Sequence, residues 1–361
     1  MPTVKNIDQI QYFLNRFPTI DSGFDYHVNY HPMAKSEFTS LPTFMAEFFD
    51  CKVHSCPLLI TNEDHLITHH VWNLTHKRKH KPKKTHDLWD SWGEDINIRL
   101  PKVTQCFNER YTYVWLPIDE ESANNPWHVW IDVISKFRLI EKRWSTLFTK
   151  YCFVLSNPSK YFDKVQKEFF PELKYMVVPK NETWQFAHLI VPSLSNHNDG
   201  VITPALGPWM RVLKNVLNVG PCKNRKIYVS RKKAATRRLV NAEKMLMALK
   251  GWETVVLEDM SVREQVECFA EASHVVAPHG AGLTNLLWCE PDTKVMEIQD
   301  PNMIHKKVYP VLSQTLALEH ELYLAKTVPI PYVGNKPKNV KRLNDLIDFE
   351  VDVSDLIRHL E

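Results

Sequence analysis

The segment VVAPHGAGLTN contains two of the chain's nine glycines, Gly280 and Gly282, directly behind His279 and an apolar run. Glycine lets the backbone approach a ligand closely or adopt a positive φ. A helix beginning at Leu283 would offer free N–H groups and a positive dipole end to an anion. The spacing therefore predicts a turn that cradles a phosphate, or else a tight strand-to-helix turn in which glycine serves only close packing. His279 could donate to a phosphate oxygen or a sugar hydroxyl, or be a hydrogen-bonded core residue.

A basic cluster follows a second apolar run, KIYVS, which ends at Ser230. Its members are Arg231, Lys232, Lys233, Arg237 and Arg238. Guanidinium groups match phosphate oxygens well, so the cluster predicts contacts to the same anion, with a solvated charged loop as the alternative. Asn241 is expected to cap the next helix. Glu297 lies within the apolar run KVMEI, where a carboxylate is costly to bury without partners, and it could accept hydrogen bonds from ribose hydroxyls near a ligand crevice.

A third segment, NNPWHVWIDVISKFRLIEKRW, carries His128 and Asp132 four residues apart. Pro126 suits the first turn of a helix, so the two polar residues are predicted to share one helix face. They could act as a general base and its orienting partner, or as two separate substrate contacts. A polar pair on the surface of an amphipathic helix is the alternative. The 17 histidines include neither an HExxH motif nor a paired Cys/His array, so no metal is expected.

The elements that must position these residues alternate from about residue 223 onward. The predicted strands and helices run through residues 226–230, 241–249, 253–257, 262–272, 274–277, 283–288 and 294–298. Strands that alternate with helices indicate an α/β layer of Rossmann-like type. Residues 1–205 form an irregular mixture that we assign to a first domain, and residues 206–325 form the second. The apolar spacing in residues 339–361 predicts a terminal helix, and we expect the tail from residue 326 to pack back on the first domain.

Composition limits the classes of function. A formal charge of +3 on 361 residues is too small to predict nucleic-acid or membrane binding. The basic segment 77–84 is expected to be a solvated loop, with a polyanion site or a nuclear signal as the alternative. No apolar run approaches the ~20 residues that a bilayer requires, and the N-terminus lacks a secretory pattern. Seven scattered cysteines favour reduced thiols, so a cytoplasmic location is expected.

Three segments together resemble glycosyltransferase family 61. They are NPWHVWIDVISKFRLIEK, IYVSRKKAATRRLVNAEKM and VVAPHGAGLTNLLWCEPDTKVMEI, in the family's order, and the resemblance covers about residues 120–300. It implies a GT-B architecture of two Rossmann-like domains facing a cleft. It also implies an inverting transfer from a nucleotide-sugar donor, usually a uridine diphosphate sugar, to a glycan or glycoprotein acceptor. Family members attach xylose, arabinose or N-acetylglucosamine, and this fold class generally needs no divalent metal.

The resemblance assigns roles to residues of this chain. The residues that it assigns to donor binding are Ser230, Arg231, Arg237, His279, Gly280, Ala281, Gly282, Asn285 and Glu297. Arg238 and Asn241 match the basic continuation of the family's motif after the strand. His128, Asp132 and Arg138 match the helix of the first domain. We expect Asp132 to be the general base, with His128 the next candidate, and Arg231 to stabilise the departing diphosphate. Eukaryotic relatives are usually membrane-anchored, so a bacterial or viral enzyme of the cytosol, including a host cytosol, fits the sequence better.

Two other functions fit parts of the sequence. A nicotinamide-dependent oxidoreductase would explain a Rossmann-like second half, although GxGxxG is missing after the first strand. A glycan- or nucleotide-binding protein without catalytic activity would use some of the eleven tryptophans as stacking platforms.

Overall fold

The computed structural model divides the chain into two compact units. The first comprises Met1–Phe24 and Leu41–Asn198, and the second comprises Asp25–Ser40 and Asp199–Glu361. The residues that the structure describes are 3–5, 19–21, 25–29, 35–39, 43–55, 58–63, 65–67, 95–97, 102–108, 111–118, 123–140, 149–157, 159–193, 196–197, 201–220, 224–303, 307–331 and 347–360. The basic segment 77–84 lies outside them. None of the helices in these ranges is long and apolar enough to cross a bilayer.

The first unit is built on a mixed nine-stranded sheet. Its parallel part contains the strands Tyr175–Val177, Tyr151–Leu155, Thr112–Leu116, Thr183–Pro192 and Val103–Phe107. The strands Thr43–His54, Leu58–Ile60, Leu66–Ile67 and Thr19–Asp21 continue it in antiparallel pairing. Tyr151–Leu155 is buried at every position, as expected for a central parallel strand with both faces covered. Two further short strands, Thr3–Lys5 and Asp95–Asn97, pair with each other.

The helical segment of the first unit is not the continuous α-helix that the spacing predicts. It runs as a π-helix over His128–Val133, a 3-10 turn over Ile134–Lys136 and a short α-helix over Phe137–Ile140. The wide π turn adds a residue to each hydrogen-bonded loop and often marks a functional site. Another helix, Lys160–Phe169, is capped by Ser159, whose side chain accepts the N–H of Phe162 at 2.8 Å.

The second unit contains a five-stranded parallel sheet. Its strands are β1 (Arg225–Val229), β2 (Glu253–Val255), β3 (Ala272–Pro278), β4 (Lys294–Gln299) and β5 (Glu319–Leu324). They are ordered β2-β1-β3-β4-β5, so the chain reverses its direction of winding between β1 and β3. In sheets of this kind, ligands bind at that switch point, beyond the carboxyl ends of the strands. The predicted α/β class is confirmed.

Helices and turns connect these strands. The α-helices of the unit are α1 (Leu206–Val216), α2 (Ala242–Ala248), α3 (Val262–Ala270), α4 (Val308–Thr315) and α5 (Val353–Leu360). The 3-10 helices are Leu257–Asp259, Ala281–Trp288 and Pro301–Met303. Ser261 begins α3 with a complete capping box, because its side chain accepts from the N–H of Glu264 and the Glu264 carboxylate accepts from the N–H of Ser261. Short strands at Asp25–Asn29 and Lys35–Thr39 form a hairpin.

The chain's tail differs from the prediction in both structure and location. Residues Ile347–Glu350 form a strand, β7, that pairs antiparallel with β6 (Lys326–Pro329), and α5 is the one helix in the described part of the tail. Apolar residues at positions 347, 349 and 351 recur with period two, which is the period of a strand. Phe349 is fully buried in one core cluster with Tyr228 and Met296 of the parallel sheet. The described tail therefore packs on the second unit, where the prediction had it on the first domain.

Candidate functional site

The predicted donor-binding residues come together at the switch point of the second unit. Ser230 and Arg231 directly follow β1, and His279 and Gly280 directly follow the neighbouring strand β3. The carboxyl ends of the two parallel strands thus bring the basic cluster and the glycine turn to one edge of the sheet. The sequence predicts this proximity, because each loop follows an apolar strand of the same sheet.

The Arg231 guanidinium lies directly against Gly280. A Cβ atom added at Gly280 would clash with Nη1 and lie 3.0 Å from Cζ of Arg231. Nε and Nη2 donate weakly to the carbonyl of Thr236, at 3.4 and 3.3 Å. Burial, with the nearby charge of Arg237, lowers the pKa of Arg231 to about 10. The more distant charges of Glu258 and Asp348 oppose this shift, but no carboxylate among the described residues forms an ion pair with the partly buried Arg231.

The glycine turn opens the 3-10 helix Ala281–Trp288, where an α-helix was predicted. The first bond of this helix runs from the N–H of Leu283 to the Gly280 carbonyl at 3.0 Å. The N–H groups of Ala281 and Gly282 precede that bond and have no partner within the helix. Gly280 has an extended backbone with φ 166°, so it is required for space rather than for a positive φ. Gly282 also saves space, because a Cβ there would lie 2.8 Å from Cδ1 of Leu257.

Glu297 orients His279 instead of facing a ribose. Oε1 contacts Nδ1 of His279 and accepts from Nε2 of Gln299 at 3.1 Å, and Oε2 lies 3.1 Å from Nε2 of His320. Burial alone would raise the pKa of this fully buried carboxyl, but the two histidines outweigh it and lower the pKa to about 2. With both oxygens occupied and no exposed surface, Glu297 has no room for the expected ribose hydroxyl. The His279 ring packs edge-on against Tyr309 at 5.3 Å.

Of the other two arginines of the cluster, one faces the turn and one binds the tail. Arg237 has a left-handed backbone with φ 59°, and its Nη1 donates to the His279 carbonyl at 3.0 Å. Arg238 instead forms an ion pair with the carboxylate of Asp348, with Nη2 and Oδ2 at 2.6 Å. Asn241 stands at the start of α2 but makes no cap hydrogen bond, since its side chain pairs with the backbone of Val351. The capping prediction for Asn241 is therefore wrong.

Asn285 and Ser230 support the two loops from within. The buried Asn285 amide donates to Oε1 of Gln265 at 3.1 Å and to the Gly282 carbonyl at 3.2 Å, so it fixes the glycine turn. Ser230 is buried, and its Oγ accepts the N–H of Lys232 at 3.3 Å. These contacts stabilise the two loops.

His128 and Asp132 form a close pair in the first unit. Nδ1 of His128 lies 2.5 Å from Oδ2 of Asp132, and the π-helix carries both residues. The side chain of His128 is 25% exposed, whereas that of Asp132 is 9% exposed. Because Asp132 holds Nδ1, the other ring nitrogen of His128 is the more accessible proton acceptor of the pair.

Sequence reasoning missed Lys136, His320 and Gln299. Lys136 is fully buried, and burial lowers its pKa to about 7, although the charge of Asp132 opposes that shift. The sequence pattern that could have identified Lys136 is a lysine within the apolar run ISKFRLI, four residues after Asp132. Gln299 has a weaker signal, because it lies two residues after Glu297 on one strand and so shares its face. His320 comes from another strand, and no local pattern identifies it. Arg138, which resembles a family position, is partly buried on the short α-helix of the first unit.

No group of three or more His, Cys, Asp or Glu side chains in the described part of the chain is arranged to hold a metal ion.

Comparison with known proteins supports the family resemblance. The family model described as Glycosyltransferase 61 matches residues 127–296, which include the His128–Asp132 pair and the glycine turn. A similar protein is Beta-1,2-xylosyltransferase RCN11 of Oryza sativa subsp. japonica, which is 30% identical over 121 residues. That alignment covers 31% of this chain and 20% of the relative's length. Residues 127–296 are thus similar to glycosyltransferase family 61, the family that the three motifs resemble.

Proposed function

We propose that the chain is a glycosyltransferase that transfers a sugar from a UDP-sugar to a hydroxyl of a glycan or glycoprotein. The family match and the xylosyltransferase relative support this proposal, and the relative's name favours a xylose-type pentose as the sugar. The proposal includes inversion by single displacement, a GT-B architecture and no divalent metal, all of which the family resemblance implies. The observation that carries the proposal is the unneutralised guanidinium of Arg231 over Gly280 at the switch point of the parallel sheet.

That guanidinium supports a diphosphate site because a buried charge without a partner destabilises the fold. A bound dianion would neutralise Arg231 and accept hydrogen bonds from the N–H groups of Ala281 and Gly282. Arg237 adds a second positive charge on the same side of the turn, next to the His279 carbonyl. A nucleotide-sugar donor presents a diphosphate of this kind, which agrees with the family.

The same groups suit the departure of the diphosphate. As the bond from the sugar to the diphosphate breaks, negative charge grows on the leaving oxygen, and preorganised donors at that charge are usually the largest catalytic contribution. Arg231 supplies a fixed charged donor. His279 supplies a second donor through Nε2 when that atom carries a proton, since Glu297 occupies Nδ1.

The acceptor hydroxyl must lose a proton, and the His128–Asp132 pair is the candidate base. The sequence favours Asp132, but the greater exposure of His128 supports His128 as the base and Asp132 as the residue that orients its ring. Chemical rescue separates the two assignments. Added imidazole should restore turnover to the His128→Ala variant if the histidine takes the proton. Rescue of Asp132→Ala by formate, with no rescue of His128→Ala by imidazole, would return the role to Asp132.

The first experiment is a thermal-shift screen with UDP, UDP-xylose, other nucleotide sugars and NADH, since a ligand stabilises the protein in proportion to its occupancy. UDP-sugars should raise the melting temperature of the wild type and of Lys232→Met, a matched loss of one exposed charge in the same loop. They should not do so for Arg231→Met. Stabilisation by NADH alone would contradict the proposal in favour of an oxidoreductase. Binding of UDP-sugar without hydrolysis or transfer would favour a binding protein.

A further inference from the structure

The tail strand β7 runs along the loop that carries the arginines of the proposed diphosphate site. The N–H of Arg237 donates to the Ile347 carbonyl at 2.6 Å, and the N–H of Val240 donates to the Phe349 carbonyl at 2.9 Å. In return, the N–H of Phe349 donates to the Arg238 carbonyl at 2.8 Å. These bonds join residues more than one hundred positions apart, so the loop conformation depends on the tail.

Two side-chain contacts reinforce this pairing at either end. The buried Asp348 carboxylate accepts from the backbone N–H of Arg238 at 2.9 Å and from its Nε and Nη2 at 3.0 and 2.6 Å. Asn241 donates to the Val351 carbonyl at 2.8 Å and accepts the N–H of Val351 at 3.2 Å. Phe349 between them is fully buried in the core, which fixes the position of the strand.

The paired loop holds Arg237 in a conformation that it would not adopt alone. A left-handed backbone costs a non-glycine residue roughly 1–2 kcal/mol, and such a conformation persists where its surroundings over-determine it. Here the bonds on both sides of Arg237 supply that constraint, and its side chain then reaches the His279 carbonyl.

We infer that the tail strand is a positioning element of the proposed diphosphate site, and that Asp348 and Asn241 are its positioning residues. This inference rests on the proposed function. The tail acts through the loop: it sets the backbone of Arg237 and Arg238, and so aims the Arg237 guanidinium at the glycine turn. Neither Asp348 nor Asn241 is required to touch the ligand.

The test uses the full chain with three variants and two measurements. Asp348→Asn removes the charge of the tail contact, and Asn241→Ala removes the other contact. Asp355→Asn is the control, because Asp355 pairs with Arg358 on the exposed surface of α5 in the same tail. Hydrogen exchange at the amides of Arg237 and Val240 reports on the pairing. Calorimetry with UDP and inorganic pyrophosphate reports on the site.

We expect both amides to exchange about tenfold faster in Asp348→Asn and in Asn241→Ala, and both ligands to bind about tenfold more weakly. The first variant loses the charge-assisted contacts to Arg238, and the second loses the contacts to the backbone of Val351. The control should match the wild type in both measurements. The double variant of Arg238→Gln with Asp348→Asn should lose no more affinity than either single variant, because the two residues act through each other.

Two results separate this inference from the proposed function. A wild type that binds neither UDP nor pyrophosphate overturns the proposed function. Wild-type binding that is unchanged in Asp348→Asn and Asn241→Ala overturns the positioning role alone. Weaker binding without faster exchange at Arg237 and Val240 also overturns it, because the loss would then not pass through the loop.

Discussion

Replacing Arg231 with methionine should stabilise the protein and weaken its binding of pyrophosphate at the same time. Methionine keeps an unbranched apolar stem of similar length, and it removes a charge that has no carboxylate partner among the described residues. Buried charges replaced by apolar side chains are often neutral or stabilising. If Arg231 served only the fold, its loss would lower the free energy of unfolding. A binding role and a structural role therefore predict opposite changes in stability.

The pKa of Arg231 gives the size of the effect on stability. Lowering the pKa of Arg231 from its ordinary value to about 10 corresponds to about 3 kcal/mol, at 1.36 kcal/mol for each factor of ten. Partial exposure reduces this, so a gain of about 1–3 kcal/mol is expected, or a few degrees in melting temperature. The cost of burying the charge is lost only as the pH rises through about 10, so the gain should be constant between pH 6 and 9.

The effect on binding has the opposite sign and a similar size. Loss of hydrogen bonds from a charged donor costs about 1.5–3 kcal/mol, which is a tenfold to roughly hundredfold loss of affinity. Differential scanning fluorimetry without ligand measures the gain, and calorimetry with pyrophosphate measures the loss. Lys232→Met is the control for net charge. A lower melting temperature in Arg231→Met, or an unchanged affinity, would refute the assignment of Arg231 to an anion site.

Four further variants test other parts of the structure. Gly280→Ala should displace the Arg231 guanidinium and weaken pyrophosphate binding about tenfold in calorimetry, whereas Gly282→Ala, which meets only a leucine methyl group, should cost less. Glu297→Gln should destabilise the fold by about 3–5 kcal/mol at pH 7 in urea denaturation, since it breaks a buried charged network. The difference in stability from the wild type should shrink as the pH falls from 4.5 toward 2. A difference that stays constant over this range would contradict the charge assigned to Glu297. Lys136→Met should abolish a rise in the stability of the wild type between pH 7 and 10. In that range the lysine of the unfolded chain is protonated, whereas the buried lysine of the folded chain has lost its proton. An equal slope of stability against pH in both proteins would show that Lys136 stays charged.

The parts of the fold that depend on local pattern could be predicted from the sequence. Strands β1, β3 and β4 lie within two residues of their predicted bounds, because short apolar runs between turn signals determine buried parallel strands. The tail could not be predicted in this way. Its apolar residues fit helical and strand periods about equally well, and its partner, the loop before α2, lies about 110 residues away in the sequence.

The site shows the same division between local and distant information. The glycine turn and the basic cluster were identified from residue types, but the ion pairs that assign Glu297 to His320 and Arg238 to Asp348 join different elements. From the sequence alone, the carboxylate of Glu297 and the guanidinium of Arg238 could each have faced a ligand. The structure excludes this role for Glu297, because a fully buried carboxylate with both oxygens hydrogen-bonded cannot bind a substrate. The sequence therefore predicts which residues gather at the site, and tertiary contacts decide which of them remain free to bind.

The two interpretations of the glycine pair, a packing turn or a phosphate cradle, are not exclusive at Gly280. Its extended backbone would accept any residue, so the requirement for glycine comes from the Arg231 side chain that occupies the space of a Cβ. Close packing at this position is what brings a cation to the end of β3 without a neutralising carboxylate. In the proposed diphosphate site, the glycine thus makes room for the arginine, and a larger residue would displace the guanidinium while leaving the turn intact.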